Sequence, residues 1–323
     1  MISIVVPVYR NAENITDLVQ ALSQLDRKLD GAMEAVFVVD GSPDDSHARL
    51  EAALAARPFR AQLLLLSRNF GSFAAIRAGL AAGRGERFAV LAADLQEPPE
   101  LVLEFDQQLR RGECDIVLGL RTKRQDPWLT RLTSSVFWNM YRRSIQPDIP
   151  KGGVDVFGCT RQVRDQILLL HETNSSLVGL LFWVGFRRAF VPYERRARTA
   201  GRSAWTLTKK LRYLSDSIFS FTDRPVRWLM GIGAFGMVAS VLGGAVIFIA
   251  KVTGQIPVPG YAATTLVVIF FGALNCLGLG IIGGYVWRTF ENTKGRPNYL
   301  IASQNSYEAA TKHDVLQSSA GHR

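Results

Sequence analysis

Phe88-Ala89-Val90-Leu91-Ala92-Ala93-Asp94-Leu95-Gln96-Glu97-Pro98-Pro99 is an apolar run that stops at a carboxylate and passes, through two prolines, into a segment of helical spacing over residues 99–110. Its near-continuous apolar character is that of a strand buried on both faces, and the proline pair is a helix start signal. Working outward, the same unit recurs. Apolar runs lie at residues 2–9, 35–40, 62–67 and 115–120, and helical spacing at 13–29, 45–56 and 72–82, with Asp44 as a second start signal. This alternation predicts an α/β fold with a doubly wound, mostly parallel sheet, whose ligand crevice lies beyond the carboxyl ends of the strands. The polar residues at those ends are Asp40, Arg68 with Asn69, Asp94 and Arg121. Either aspartate alone is also an ordinary turn or cap residue; recurrence at four successive strand ends favours a site.

Two apolar runs follow, at residues 226–250 and 261–287. Each exceeds the roughly 20 residues that cross a bilayer core and, apart from Arg227 at the head of the first, carries no internal charge. Asn275 and the glycines of the second run are compatible with helix packing in a membrane. A buried helical hairpin is the alternative, and such length without charge speaks against it. Arg224, Arg227, Arg288, Lys294 and Arg296 flank the pair, while the linker at 251–260 has one base and two prolines. The positive-inside bias therefore places the linker outside and both termini in the cytoplasm. Residues 1–9 lack a basic n-region and a cleavage site, so the preceding domain is expected to stay inside. Cys114, Cys159 and Cys276 show no metal spacing and read as reduced thiols. The net charge of +10 suits anionic lipid headgroups. With neither zinc-finger spacing nor an RNA-binding aromatic signature, nucleic acid is not expected as a partner.

Residues 128–143 mix Arg131, Arg142 and Arg143 with Trp128, Phe137, Trp138 and Tyr141, either a solvated face over a core stripe or a membrane-interface helix. Residues 205–221 set Lys209, Lys210 and Arg212 opposite Leu207, Leu211, Leu214, Ile218 and Phe219 and directly precede the first apolar run, which favours an interfacial helix. The expected organisation is a cytoplasmic domain over 1–204, an amphipathic segment over 205–223, a transmembrane hairpin over 224–300 and a disordered polar tail over 301–323.

Seven short strings in fixed order carry a resemblance: Ile4-Val5-Val6-Pro7-Val8-Tyr9 with Asn11 and Glu13; Val39-Asp40-Gly41-Ser42; Ser67-Arg68-Asn69-Phe70-Gly71; Ala92-Ala93-Asp94-Leu95-Gln96-Glu97-Pro98-Pro99-Glu100; Gly119-Leu120-Arg121; Gly152-Gly153-Val154-Asp155-Val156-Phe157; and Arg198-Thr199-Ala200-Gly201-Arg202-Ser203. In these the chain resembles the family-A inverting glycosyltransferases of GT-A type, in particular the polyprenyl-phosphate group that includes dolichyl-phosphate mannose synthase and bactoprenol glucosyltransferases. The resemblance implies a nucleotide sugar, most often a uridine one, as donor and a polyprenyl phosphate such as undecaprenyl phosphate as acceptor, at the cytoplasmic leaflet of a bacterial inner membrane. It assigns Pro7, Tyr9, Glu13, Asp40, Arg68 and Asn69 to the nucleotide, and Asp94 and Gln96 to Mg2+ or Mn2+ on the diphosphate. Asp155 falls near the reacting sugar, and Arg121, Arg131, Ser135, Arg198 and Arg202 at the acceptor phosphate. A homo-oligomer is compatible with it. Two positions depart from the family pattern: Ala92 stands where an aspartate is usual, and Val39-Asp40 replaces an aspartate pair. A processive polysaccharide synthase would carry a Gln-x-x-Arg-Trp motif, which is absent; a non-catalytic sugar-nucleotide-binding relative or scaffold is the other alternative.

Overall fold

The computed structural model describes residues 1–55, 58–122, 149–150, 154, 156–172, 176–196, 224–253 and 260–309. Arg131, Ser135, Asp155, Arg198 and Arg202 lie outside these, as do the expected helices at 128–143 and 205–221. The described residues fall into two units, residues 1–196 with 297–309, and residues 224–296.

The first unit is built on one eight-stranded sheet. Its strands are β1 (Ile2–Val8), β2 (Met33–Val39), β3 (Arg60–Leu66), β4 (Arg87–Val90), β5 (Ile116–Arg121), β6 (Phe157–Thr160), β7 (Arg188–Tyr193) and β8 (Ile301–Tyr307), in the order β7-β5-β6-β4-β1-β2-β3-β8. β1 pairs in parallel with β2 and β4, β2 with β3, and β5 with β7; β6 runs antiparallel between β4 and β5. The helices of this unit are α1 (Ile15–Lys28), α2 (Ser46–Leu54), α3 (Ser72–Ala82), α4 (Leu101–Arg111), α5 (Arg161–Leu169) and α6 (Leu177–Trp183). The doubly wound parallel core predicted from the apolar runs is thus present, each of its first five strands within a few residues of the expected run.

The period-two geometry of a strand explains the two cores. Ile2, Ile4, Val6 and Val8 of β1 face one side, where Leu18, Val19 and Leu22 of α1 and Val102, Phe105 and Leu109 of α4 close over them. Val5 faces the other side, with Val36, Val38, Leu64 and, from α3, Ala75 and Ala78. Helix α3 lies so close to the sheet that a Cβ added at Gly79 would meet Val5 Cγ1 at 2.3 Å, so glycine is required there.

β8 corrects the expectation of a disordered tail. Residues 301–307 run antiparallel along β3, Ser67 N donates to Leu300 O (3.0 Å), and Gln304 Nε2 donates to Gln62 Oε1 (3.0 Å). Gln62 in turn donates to buried Glu34, which also accepts from Ser3 Oγ (2.6 Å) and from the Arg84 amide. A polar edge strand needs no apolar alternation to form, which is why its sequence is silent; it covers the row of backbone groups that β3 would otherwise leave open.

The second unit consists of α7 (Arg224–Val252) and α8 (Tyr261–Thr293). Both are long and apolar enough to cross a membrane, over Pro225–Gly243 and Phe270–Thr293. Trp228, Phe235, Val241, Ile249, Phe270, Leu279 and Val286 are exposed. A buried hairpin would turn such side chains inward, whereas these present an apolar surface of the kind lipid covers.

Candidate active site

β1 sits at the centre of the parallel core, with β2 on one side and β4 on the other. Chains leaving the carboxyl ends of β1 and β4 therefore diverge, and the crevice of the sheet opens between them. Pro7, Tyr9, Glu13, Asp40, Arg68, Asn69, Asp94, Gln96 and Arg121 all lie at this edge, at or just after β1 to β5. The start of antiparallel β6 reaches the same edge, where Val156 O accepts from Gly119 N (3.0 Å).

On the β1–β2 side the carboxylates are engaged by the chain itself. Asp40, 2% exposed, accepts from the Phe70 amide at 2.7 Å and the Gly71 amide at 2.8 Å, and its carbonyl accepts from Asn69 Nδ2 at 3.3 Å. Burial pushes the Asp40 carboxyl up, against the pull of those two amides and of Arg68. Asp40 therefore anchors the loop after β3. Gly41 completes that junction: its φ is +53°, and an added Cβ would lie 2.3 Å from the Arg68 carbonyl carbon. Arg68 stacks its guanidinium over the Phe70 ring at 4.0 Å.

Asp44 is the hub that sequence reading took only as a helix start. Its Oδ1 accepts from Ser42 Oγ (2.6 Å) and from the Ser46 amide (3.2 Å) at the head of α2, and its Oδ2 accepts from the Ala12 amide (3.1 Å). Ser42 Oγ and Ser46 Oγ then accept from the amides of Arg10 (2.8 Å) and Asn11 (3.2 Å), and Asn11 Oδ1 accepts from Tyr9 N (3.2 Å). Burial opposes ionisation of Asp44, but the hydroxyl and amide donors outweigh it and hold the carboxyl below its usual range. The result is a fixed loop at residues 9–14, with Arg10 at φ +57° and Glu13 exposed in a short 3-10 turn.

The β4 side is tied differently. Half-buried Asp94 accepts from Gln96 N at 3.4 Å, and Leu95 between them takes φ +52°. Gln96 is held at both of its oxygens: Oε1 accepts from Arg195 Nη2 at 2.6 Å, and its backbone carbonyl accepts from Arg196 N at 2.8 Å. Arg195 Nε also lies 3.3 Å from the carboxylate of Glu97, whose side chain is 2% exposed, and Arg196 pairs with Glu100 at 3.6 Å. Arg195 and Arg196 follow β7 and were not singled out from sequence. The signal was their place just ahead of Arg198, in a string that looked merely basic. Arg121 ends β5 opposite Tyr193 of β7.

A carboxylate at the switch point, with fixed loops on either side and arginines nearby, marks the crevice where an α/β sheet of this kind takes its ligand. The chain matches Glycosyl transferase family 2 over residues 3–169 and belongs to that family, so it is a glycosyltransferase with the GT-A fold. CsbB of Bacillus subtilis (strain 168) is 34% identical over 305 residues, covering 94% of this chain and 92% of that protein. The bactoprenol glucosyl transferase of Shigella phage SfX is 32% identical over 304 residues, covering 94% and 99%. Among solved structures, glucosyl-3-phosphoglycerate synthase from Mycobacterium tuberculosis in complex with Mg2+ and uridine diphosphate is 20% identical, with a TM-score of 0.47, over 67% of this chain and 79% of that one.

Proposed function

We propose that the chain transfers a monosaccharide from a nucleoside diphosphate sugar to a polyprenyl phosphate, with inversion at the anomeric carbon. The observation that carries this reading is the similarity to a bactoprenol glucosyl transferase over 94% of the chain, which takes in both the sheet and the long apolar helices. A phosphate oxygen of the lipid attacks the anomeric carbon; the bond from that carbon to the β-phosphate oxygen breaks, and its electron pair leaves with the nucleoside diphosphate. The lipid phosphate is already anionic at neutral pH, so Asp155 is assigned to orienting the sugar or acceptor and to stabilising oxocarbenium charge, not to proton abstraction.

Pro7, Tyr9, Glu13, Asp40, Arg68 and Asn69 are assigned to the nucleotide, with Asp40 also holding the loop that carries the last two. Arg121, Arg131, Arg198 and Arg202, with Ser135, are assigned to the acceptor phosphate, because guanidinium forks match phosphate oxygens. No cluster of three His, Cys, Asp or Glu side chains stands among the described residues, and Ala92 offers no oxygen. The Asp94 carboxylate and Gln96 Oε1, which keeps a lone pair beside its bond from Arg195, fit a hard cation that keeps diphosphate and water as its other ligands. Mg2+ or Mn2+ held there would neutralise charge on the departing diphosphate. The apolar helices α7 and α8 are assigned to a membrane hairpin with both termini and the sheet on the cytoplasmic side of a bacterial plasma membrane, the face at which soluble donor meets lipid acceptor.

The test is transfer of radiolabelled sugar from a panel of nucleotide sugars to undecaprenyl phosphate by the detergent-purified full chain, with Mg2+, Mn2+ or a chelator. A chloroform-soluble, mild-acid-labile product is expected. A folded protein that binds nucleotide but labels no lipid would sink the acceptor assignment.

A further inference from the structure

We propose that Arg195 is a positioning residue of the donor site: its guanidinium clasps Gln96 and Glu97 and fixes the turn that presents Asp94. This rests on the donor reading given above. Three observations converge on it. Leu95 occupies the left-handed region at φ +52°, a conformation a leucine keeps only where its surroundings over-determine it. The surroundings are the two contacts that pin the next residue, Arg195 Nη2 to Gln96 Oε1 at 2.6 Å and Arg196 N to Gln96 O at 2.8 Å. The same guanidinium reaches the carboxylate of Glu97 through Nε at 3.3 Å.

The planar fork of arginine serves two acceptors at once, whereas an ammonium on a flexible stem is a point charge that serves one. The clasp also links two ends of the reaction. Residues 94–97 hold the donor side, while the chain after Arg195 runs directly into Arg198 and Arg202, assigned to the acceptor.

The experiment is a double-mutant cycle on the full chain in detergent, with Arg195→Lys, Gln96→Ala and the pair together. It reads uridine diphosphate affinity by calorimetry in the presence of Mn2+, and bound Mn2+ by electron paramagnetic resonance, so neither readout requires turnover. Arg195→Lys keeps a cation beside Glu97. Each single change is expected to weaken uridine diphosphate binding about tenfold and the double change no further, because both cut one contact. Multiplying effects in the double variant would overturn the proposal, as would wild-type binding by Arg195→Lys. Bound Mn2+ should fall together with uridine diphosphate in both single variants, and wild-type Mn2+ binding by both would overturn the proposal. A wild-type chain that binds no nucleoside diphosphate would overturn the donor reading together with this proposal, whereas multiplying variants of a chain that does bind overturn the clasp alone.

Discussion

On the β1–β2 side of the crevice the carboxylates of Asp40 and Asp44 are spent on holding their own loops, through donors from Phe70, Gly71, Ser42, Ser46 and Ala12. On the β4 side the turn around Asp94 is held from outside, by Arg195 and Arg196 at the far end of the domain. The first side is therefore set as soon as β1, β2 and β3 pair. The second is complete only when β7 has joined the sheet, because Arg195 and Arg196 follow that strand. Asp94 too accepts from an amide of its own turn, that of Gln96, so aspartates brace the chain on both sides, while the arginines that lock the second come from beyond β7.

The largest effect that would sharpen this contrast is on turnover. Asp94→Asn is expected to cut sugar transfer by about a hundredfold or more while leaving thermal stability nearly unchanged, because it removes the counter-charge partner of the diphosphate and little packing. Parallel transfer and melting measurements check it, and wild-type turnover would place that duty elsewhere. Asp40→Ala should act on stability. It orphans the Phe70 and Gly71 amides, and chemical denaturation should show a loss of about 3 kcal/mol. A loss in donor affinity without a loss in stability would leave Asp40 with nucleotide contact alone.

A smaller effect separates the two anchors by pH. The folded-state pKa of Asp44 lies below the ordinary 3.8, so its contribution to stability is present above 3.8 and is lost as pH falls through the lowered value. The melting-temperature deficit of Asp44→Asn is therefore expected at neutral pH and should close in acid. Asp40 has the opposite sign. Its raised pKa favours the folded state in acid, and that advantage disappears as pH rises through the raised value, so ionised Asp40 is a cost that its amide donors offset. A deficit of Asp44→Asn that grew on acidification would refute the assignment. The smallest effect is expected from Arg196→Ala. Both partners of its pair with Glu100 are more than half exposed, at 58% and 51%, so less than about 1 kcal/mol should be lost on denaturation. A larger loss would mean that the β4 side is held by Arg196 as much as by Arg195.

Much of this architecture was legible before any coordinates. The runs at 2–9, 35–40, 62–67, 88–93 and 115–120 became β1 to β5, because strands buried on both faces must be apolar throughout and so announce themselves. The aspartates and arginines after them fell at one edge for a purely geometric reason: parallel strands end on the same side. β6, β7 and β8 were not legible. Short or edge strands carry no decisive apolar pattern, and β8 in particular is specified by the open edge of β3 across more than two hundred residues of chain. What sequence alone determined was the sheet, its crevice, the two long apolar helices and the identity of the groups at the strand ends. What only the tertiary structure decided was which of those groups the fold uses itself. That Asp40 anchors the loop after β3 and Gln96 is clasped from beyond β7 follows from hydrogen bonds with Phe70, Gly71 and Arg195, which depend on distances that no local pattern encodes.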